Sequence, residues 1–182
     1  MKSPPASSAT STESATSSES GLQAVADSRR QARRGPSLRG RALRFLARRE
    51  HSRAELRSKL IGPDVDPAAL DALLDDLVAK RLLSDRRYAE ILAQSKGSRY
   101  GAATLARTLS QQGVSPELAA EALAPLRATE RERGLEIWRR RFGTPPADLK
   151  ERARQHRFLL GRGFDPSTVS WVLKQAEKAG ES

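Results

Sequence analysis

The tripeptide Val114-Ser115-Pro116 has a counterpart on each side of it in the chain, Val65-Asp66-Pro67 and Phe164-Asp165-Pro166. The spacings are 49 residues (65 to 114) and 50 residues (114 to 164). Each tripeptide predicts a helix start. Ser or Asp at the N-cap accepts from free backbone N–H groups, and Pro at the first helical position has no N–H to leave unpaired. The preceding apolar residue can fix the direction in which the chain enters the helix.

The helices that follow these starts share one apolar register, at i, i+3, i+4 and i+7, which is one face of a helix. Its members are Leu70, Leu73, Leu74 and Leu77; Ala119, Ala122, Leu123 and Leu126; and Val169, Val172, Leu173 and Ala176. A helix before each start is predicted from Leu56 and Leu60, from Leu105 and Leu109, and from Leu159, with Gln155 where a leucine is expected. A further helix is predicted upstream in each unit, at about 39–49, 85–96 and 129–142. Gly113 and Gly163 are predicted to end the helices before them.

A period of about 50 residues is typical of proteins built from stacked supersecondary units. No segment shows the β-branched alternation of a strand. Residues 1–28 contain twelve Ser or Thr and few large apolar side chains, which predicts disorder. We therefore predict an all-α protein, an elongated array of three tandem three-helix repeats after a disordered N-terminal tail. The predicted boundaries are 1–37 for a Ser/Ala/Thr-rich and then Arg-rich tail, and 38–83, 84–127 and 128–180 for the repeats.

The chain of 182 residues is basic, with 33 Lys and Arg against 22 Asp and Glu and a formal net charge of +11. Positive charge is concentrated in two blocks, +10 over residues 29–61 and +6 over residues 127–162, with −4 over residues 62–85 between them. Two separated basic regions suit a polyanion or an acidic protein groove. The lack of cysteine excludes disulfides and thiolate chemistry. No membrane span or secretory signal is recognisable, so a cytoplasmic protein is expected.

No catalytic or metal-binding constellation is recognisable in the sequence. His51 and His156 are far apart and do not form a pair of metal ligands, so both are predicted to lie at the surface or at a helix end. Asp75 and Asp76 are adjacent, so their side chains diverge by about 100° on a helix and are predicted to be solvated. There is neither a phosphate-binding G-x-x-x-x-G-K-[ST] loop nor a G-x-S-x-G nucleophile elbow. We therefore expect no enzymatic activity and no cofactor.

Four sets of motifs stand out in the predicted repeats. They are Arg41 to Leu46 (RALRFL) followed by Ser52 to Leu60 (SRAELRSKL); Leu82 to Ala89 (LLSDRRYA); Tyr100-Gly101 with Gly113-Val114; and Gly161 to Phe164 (GRGF). Together they resemble the RecX family of bacterial proteins over roughly residues 38–178, and the second set is similar to that family's most distinctive motif. The resemblance implies tandem three-helix repeats, in agreement with the period found above. The long N-terminal tail is not a feature of that family.

The resemblance also implies a function, that of a non-enzymatic regulator of the RecA recombinase. Family members bind RecA and the RecA–DNA filament, restrain ATP hydrolysis and strand exchange, and so modulate recombination, DNA repair and the SOS response. The expected partners are RecA, the RecA–DNA filament and, weakly and in a salt-dependent manner, single- or double-stranded DNA. A monomer with no membrane partner is expected. One alternative is a basic helical DNA-binding protein without a RecA partner. The other is a nuclease, against which the sequence shows no cluster of metal ligands.

The candidate contact residues are mainly arginines, because a guanidinium group binds carboxylate and phosphate equally through its bidentate fork. Arg41, Arg44 and Arg48 are predicted to form one stripe on the first helix, with Leu43, Phe45 and Leu46 turned towards the core. Tyr100 is predicted to stack or to contact the filament from a Gly/Ser/Arg loop. Core packing is predicted for Phe45, Trp138, Phe158 and Trp171. The full candidate set is Arg41, Arg44, Arg48, Arg53, Arg57, Arg86, Arg99, Tyr100, Arg107, Arg139, Arg140, Arg152, Arg157 and Arg162.

Overall fold

The computed structural model describes residues 36–180, which fold into helices with no strand in that range. The helices are α1 (Leu38–Leu46), α2 (Arg53–Leu60), α3 (Pro67–Ala79), α4 (Asp85–Gly97), α5 (Ala102–Gln111), α6 (Pro116–Ala128), α7 (Glu130–Arg141), α8 (Leu149–Gly161) and α9 (Pro166–Gly180). Repeat 1 comprises α1–α3, repeat 2 comprises α4–α6 and repeat 3 comprises α7–α9. The prediction of an all-α fold with three three-helix repeats is confirmed. The predicted repeat boundaries stay a prediction, and the predicted tail lies outside the described residues except for its last two.

The chain divides at Gly40 into two compact units, Met1–Gly40 and Arg41–Ser182. In the first unit, the described residues 36–40 contain the start of α1, where Ser37 Oγ accepts a hydrogen bond from the backbone N–H of Gly40 (3.1 Å). The second unit contains the rest of α1 and all of α2 to α9.

Side-chain caps start the helices as the three tripeptides predict. Asp66, Ser115 and Asp165 each accept a hydrogen bond from a backbone N–H two or three residues further on, at 3.1, 3.3 and 2.8 Å. Gly113 and Gly163 lie two residues past the ends of the helices before two of these caps, and their φ angles of +71° and +82° lie in the left-handed region that favours glycine.

Each repeat buries the apolar face that the sequence predicts. The buried members of that face are Leu70, Leu74 and Leu77; Ala119 and Leu123; and Val169, Val172, Leu173 and Ala176. Leu73, Ala122 and Leu126 lie at its edges and are half-buried. Burying a leucine or valine side chain contributes about 1.5–3 kcal/mol, so these faces are the main reason that the short helices are stable.

Gln155 lies at the core position of repeat 3 where a leucine is expected, and it is fully buried. Its Oε1 atom accepts a hydrogen bond from the indole Nε1 of buried Trp138 (2.7 Å). Its Nε2 atom donates to Glu151 Oε1 (3.2 Å) and to the carbonyl of Thr144 (3.4 Å). A buried indole N–H needs an acceptor, which a leucine would not supply. The departure from the leucine pattern is therefore explained by Trp138, whose predicted core position is confirmed.

The first helix differs from its prediction, because it ends at Leu46 and not at about residue 49. The backbone N–H of Arg48 donates to the Phe45 carbonyl (3.1 Å), so Arg48 lies in the turn after α1 and the predicted helical stripe is wrong at that residue. The prediction that Leu43 faces the core is also wrong, since Leu43 is 38% exposed. The inward face of this short helix is centred on fully buried Ala42, and the next residue points about 100° away from it.

The aspartates of α3 form ion pairs at the surface, and Asp75 and Asp76 are solvated as predicted, with 72% and 37% of their side chains exposed. Asp71 pairs with Arg57 (2.8 Å), Asp75 with Arg53 (2.8 Å) and Asp76 with Lys80 (2.6 Å). Hydrogen bonding from the Arg57 guanidinium lowers the pKa of Asp71. The Asp71 and Asp75 pairs link the acidic helix α3 to the basic helix α2, so part of the positive charge of residues 29–61 is neutralised within repeat 1.

His51 directly precedes Ser52, the N-cap of α2, so the predicted helix-end position is confirmed, but its side chain is buried and not at the surface. Its Nδ1 atom donates to the Arg49 carbonyl (2.9 Å), and Nε2 accepts from Lys59 Nζ (3.1 Å), so the ring is neutral. Burial lowers the pKa of His51. Burial also raises the pKa of Glu55, but hydrogen bonds from Arg49 and Lys59 outweigh that effect and lower it to about 2.

We expect these two groups to make repeat 1 sensitive to acid. Both pKa values are lower in the folded than in the unfolded chain, so stability is fully present above pH 6.5 and falls as the pH drops below the ordinary histidine value. Protonation of Glu55 between pH 4.5 and about 2 should lower the free energy of unfolding further, by about 2 kcal/mol. This figure allows for the screening of the Arg49–Glu55 pair by water, since Arg49 is half-exposed. Urea unfolding of the wild type and His51→Gln at pH 7.5 and 5.5 checks the first loss. An equal fall in both proteins would contradict it.

The repeats meet through two joints built from equivalent positions. At the first, Ser52 Oγ donates to the Gln112 carbonyl (2.6 Å), and at the second the backbone N–H of Gly101 donates to the Arg162 carbonyl (2.8 Å). In both, an acidic residue that begins the next repeat caps the second helix of the repeat before it. Asp85 Oδ1 accepts from Arg53 N (2.7 Å), and Glu130 Oε1 accepts from Ala102 N (3.0 Å).

Arg133 of α7 adds a further link between repeats 2 and 3. Its guanidinium donates to the carbonyls of Gly97, Tyr100 (3.1 Å) and Leu126 (2.6 Å), all of which belong to repeat 2. Carbonyls at helix ends lack intrahelical partners and carry partial negative charge, so a cation is a suitable donor for them. Burial lowers the pKa of Arg133, which measures how far this group is withdrawn from water.

Candidate anion-binding cleft

A cleft of about 230 Å³ lies where repeat 2 meets repeat 3. We call it the arginine cleft, and its walls are Ser98, Arg99, Ile137, Arg140, Arg141, Phe158 and Arg162. Four of these seven residues are arginines and none is acidic. A concave surface with several guanidinium groups and no lining carboxylate favours an anionic ligand.

Three different elements supply the four arginines. Arg99 lies in the loop between α4 and α5, Arg140 and Arg141 are in the last turn of α7, and Arg162 directly follows α8. Cations are favoured at a helix C-terminus, which stabilises the positions of the two α7 residues. Arg162 Nη1 donates to the Arg99 carbonyl (3.0 Å), so the opposite walls of the cleft are tied together.

The positive charge of the arginine cleft is only weakly compensated. Arg140 pairs with Glu136 one helical turn away (3.2 Å), and both side chains are more than half exposed, so the pair is screened by water. The Arg141 guanidinium lies 5.7 Å from the Phe142 ring centroid, and that of Arg162 lies 4.6 Å from the Phe158 ring centroid. Ring contacts orient these cations but leave their charge available to a ligand.

The structure brings together three of the residues that the sequence suggests as contacts, Arg99, Arg140 and Arg162. It adds two that were not in that set, Arg141 and Phe158. Arg141 is the third of three consecutive arginines, so the basic run itself could have indicated it. The predicted core packing of Phe158 is only half correct, because its ring is half-buried and lines the cleft.

The other candidate residues lie elsewhere. Arg53 and Arg57 are held by α3 aspartates, Arg86 pairs with Glu121 (2.6 Å), Arg152 pairs with Glu177, and Arg41 donates to the Leu60 carbonyl (3.4 Å). Arg44, Arg48, Arg107, Arg139 and Arg157 are exposed. Tyr100 is half-buried against the core of repeat 2, and its predicted stacking or contact with the filament stays a prediction. Its carbonyl accepts a hydrogen bond from the Arg133 guanidinium (3.1 Å).

Over residues 36–180, no group of three or more His, Cys, Asp or Glu side chains is arranged to hold a metal ion. Within the same range, no helix combines the length and apolarity needed to cross a membrane. The arginine cleft is thus the most distinctive chemical feature of the described surface.

The three repeats match domains of a known protein family. Three family models match, described as the first, second and third three-helix domains of RecX, over residues 39–77, 84–123 and 129–173. The regulatory protein RecX of Leptothrix cholodnii is 49% identical over 141 residues, which cover 78% of this chain and 90% of that protein. The regulatory protein RecX of Ralstonia pickettii is 44% identical over 142 residues, with 78% and 89% covered.

A solved structure shares the fold. The crystal structure of RecX from Lactobacillus salivarius superposes with a TM-score of 0.67 at 19% sequence identity, covering 77% of this chain and 94% of that one. At so low an identity the likeness concerns the fold alone.

Proposed function

Because this chain belongs to the RecX family, we propose that it is a non-catalytic regulator of RecA, which binds RecA and the RecA–DNA filament in the cytoplasm and inhibits ATP hydrolysis and strand exchange. The observation that carries this proposal is the arginine cleft at a joint held by hydrogen bonds. A preformed cationic concavity suits the carboxylates and phosphates that a protein–DNA filament presents.

Two cationic surfaces support contacts along a filament. One is the arginine cleft, and the other is formed by the exposed Arg44 and Arg48 of repeat 1. Binding at two sites on one filament multiplies the affinity of each, because the second contact is made at high effective concentration. A regulator that bridges neighbouring RecA subunits would restrain the motions that accompany ATP hydrolysis.

RecA ATP hydrolysis on single-stranded DNA, titrated with this protein, tests the proposal. We expect the wild type to inhibit ATP hydrolysis. The Arg140→Glu/Arg141→Glu variant should need at least a tenfold higher concentration for the same inhibition. The matched control is Arg127→Glu/Lys174→Glu, which reverses the same charge at exposed positions that do not line the cleft. No inhibition by the wild type would contradict the proposal. DNA binding without any effect on RecA would favour the plain DNA-binding protein.

A further inference from the structure

We propose that the arginine cleft is a single-nucleotide site for single-stranded nucleic acid, in which one base stacks on the Arg162–Phe158 pair and the adjoining phosphate binds Arg140 and Arg141. This deepens the proposed function, because it names a ligand of the same cleft, yet it concerns the isolated protein and can fail while RecA regulation stands.

The stacking platform is already assembled. The Arg162 guanidinium lies 4.6 Å from the centroid of the Phe158 ring, and both side chains are half-buried and line the cleft. The hydrogen bond from Arg162 Nη1 to the Arg99 carbonyl (3.0 Å) fixes the guanidinium in this position. Nucleic acid bases stack on aromatic rings and on guanidinium planes, and a group that is already ordered loses little entropy when the base arrives.

The phosphate site is formed by the exposed arginines at the end of α7. Arg140 and Arg141 lie in its last turn, beside the stacking platform in the same cleft. A guanidinium binds two phosphate oxygens at once. Glu136, which pairs with Arg140, is 64% exposed and does not line the cleft, so a phosphate can displace it at little cost.

The shape of the cleft selects a single strand. In a duplex the faces of the bases are covered by their neighbours, so a stacking platform inside a cleft of about 230 Å³ cannot reach them. The carboxylates of an acidic protein segment would bind the cations but would supply no planar ring to stack on the Arg162–Phe158 pair. The combination of a platform and two phosphate donors therefore favours single-stranded nucleic acid over both.

The joint between repeats holds the two walls in place. The backbone N–H of Gly101 donates to the Arg162 carbonyl (2.8 Å), and that of Ala103 donates to the Gly163 carbonyl (3.2 Å). Arg99 and Arg162 come from different repeats, so the cleft exists only while this joint is closed. The hydrogen bonds of the joint are formed in the protein alone, so the site is present before any strand binds.

Fluorescence anisotropy with the full-length protein and no RecA tests the inference. The probes are a labelled thymidine 15-mer, the same 15-mer with every base replaced by an abasic residue, and a duplex of equal length. The two single strands carry the same charge, so only the bases differ. We expect the abasic strand to bind about tenfold more weakly, as the loss of a stacked base implies.

Two variants assign that difference to the cleft. Phe158→Leu is expected to lower the affinity for the thymidine strand to the abasic level and to leave abasic binding unchanged. Arg162→Lys keeps the charge but removes the planar group, so it should have the same effect on binding. It serves as the second test if Phe158→Leu fails to fold. Arg140→Gln/Arg141→Gln should weaken both single strands and flatten the salt dependence by about 0.7 per lost phosphate contact.

Equal affinity of the wild type for thymidine and abasic strands would overturn the inference, and so would a base preference that survives in both platform variants. Tighter binding of the duplex than of the thymidine strand would overturn it as well. If RecA is inhibited normally while any of these results is obtained, the nucleotide site is wrong and the proposed function remains.

Discussion

Replacing Gly101 by alanine is expected to destabilise the protein by about 3 kcal/mol and to uncouple repeat 3 from repeat 2. A Cβ atom at Gly101 would overlap the carbonyl and backbone of Gly163 and the backbone N of Phe164, none of which can rotate away. Overpacking costs about 1–3 kcal/mol, and the two inter-repeat hydrogen bonds at this point are lost as well. The φ angle of Gly101 is −74°, which alanine adopts freely, so the effect is that of the contact alone.

Thermal unfolding followed by circular dichroism measures this effect. A loss of 3 kcal/mol lowers Tm by about 6–12 °C in a chain of this size, and the transition should broaden because an interface between neighbouring repeats is lost. Gly161→Ala is the matched control, since a Cβ atom there meets nothing within 4 Å. A Tm for Gly101→Ala equal to that of the control would show that the joint opens without cost.

Arg133→Met should lower the stability by a similar amount, about 3 kcal/mol. Methionine replaces the aliphatic part of the arginine side chain but has no donor, so the carbonyls of Gly97, Tyr100 and Leu126 lose their shared partner. An unsatisfied buried acceptor costs about 1–3 kcal/mol, and partial access of water to these helix ends reduces the total. The free energy of unfolding of Arg133→Lys should lie between those of the wild type and Arg133→Met. An ammonium group keeps the charge but cannot reach three carbonyls in different directions.

Urea unfolding of these variants is the measurement, with Arg139→Met as the control on the same helix. Arg139 is exposed, so its replacement should change the free energy of unfolding by less than about 0.5 kcal/mol. Equal stability of Arg133→Met and Arg139→Met would mean that the three carbonyls find water as easily as they find the guanidinium. The link between repeats 2 and 3 would then rest on its other contacts, which are the backbone hydrogen bonds of Gly101 and Ala103, the Glu130 cap on Ala102 and the Arg162 bond to the Arg99 carbonyl.

Local patterns made the repeat predictable. Asp66, Ser115 and Asp165 act as caps whatever the rest of the chain does, because each bonds to backbone N–H groups two or three residues away. The spacing of leucines and valines indicates the buried face of each helix for the same reason. The length of α1 was less predictable, since an Arg-rich sequence continues past Leu46 with no residue that forbids a helix.

The candidate site was predictable only in part. Arg99, Arg140 and Arg162 belong to basic blocks visible in the sequence, and a basic block indicates an anionic partner but not which of its members converge. Some candidate arginines are engaged within the protein. Arg53 and Arg57 form ion pairs with aspartates of α3, and the spacing of residues in the sequence does not show which arginine pairs with which aspartate. The burial of His51 was not predictable for a related reason, because burial depends on which neighbouring segment packs against a residue.

The sequence by itself determined the helices, their caps, their apolar faces and the period of about 50 residues, because these depend on interactions between residues close together in the chain. Only the tertiary structure decided how one repeat meets the next. The Gly101 contact with Gly163, the Glu130 cap on Ala102 and the Arg133 links join residues that are tens of positions apart. No pattern within a helix encodes such a contact, since it exists only once both repeats have folded and their ends meet. The arginine cleft is a product of that meeting, because its two walls belong to different repeats.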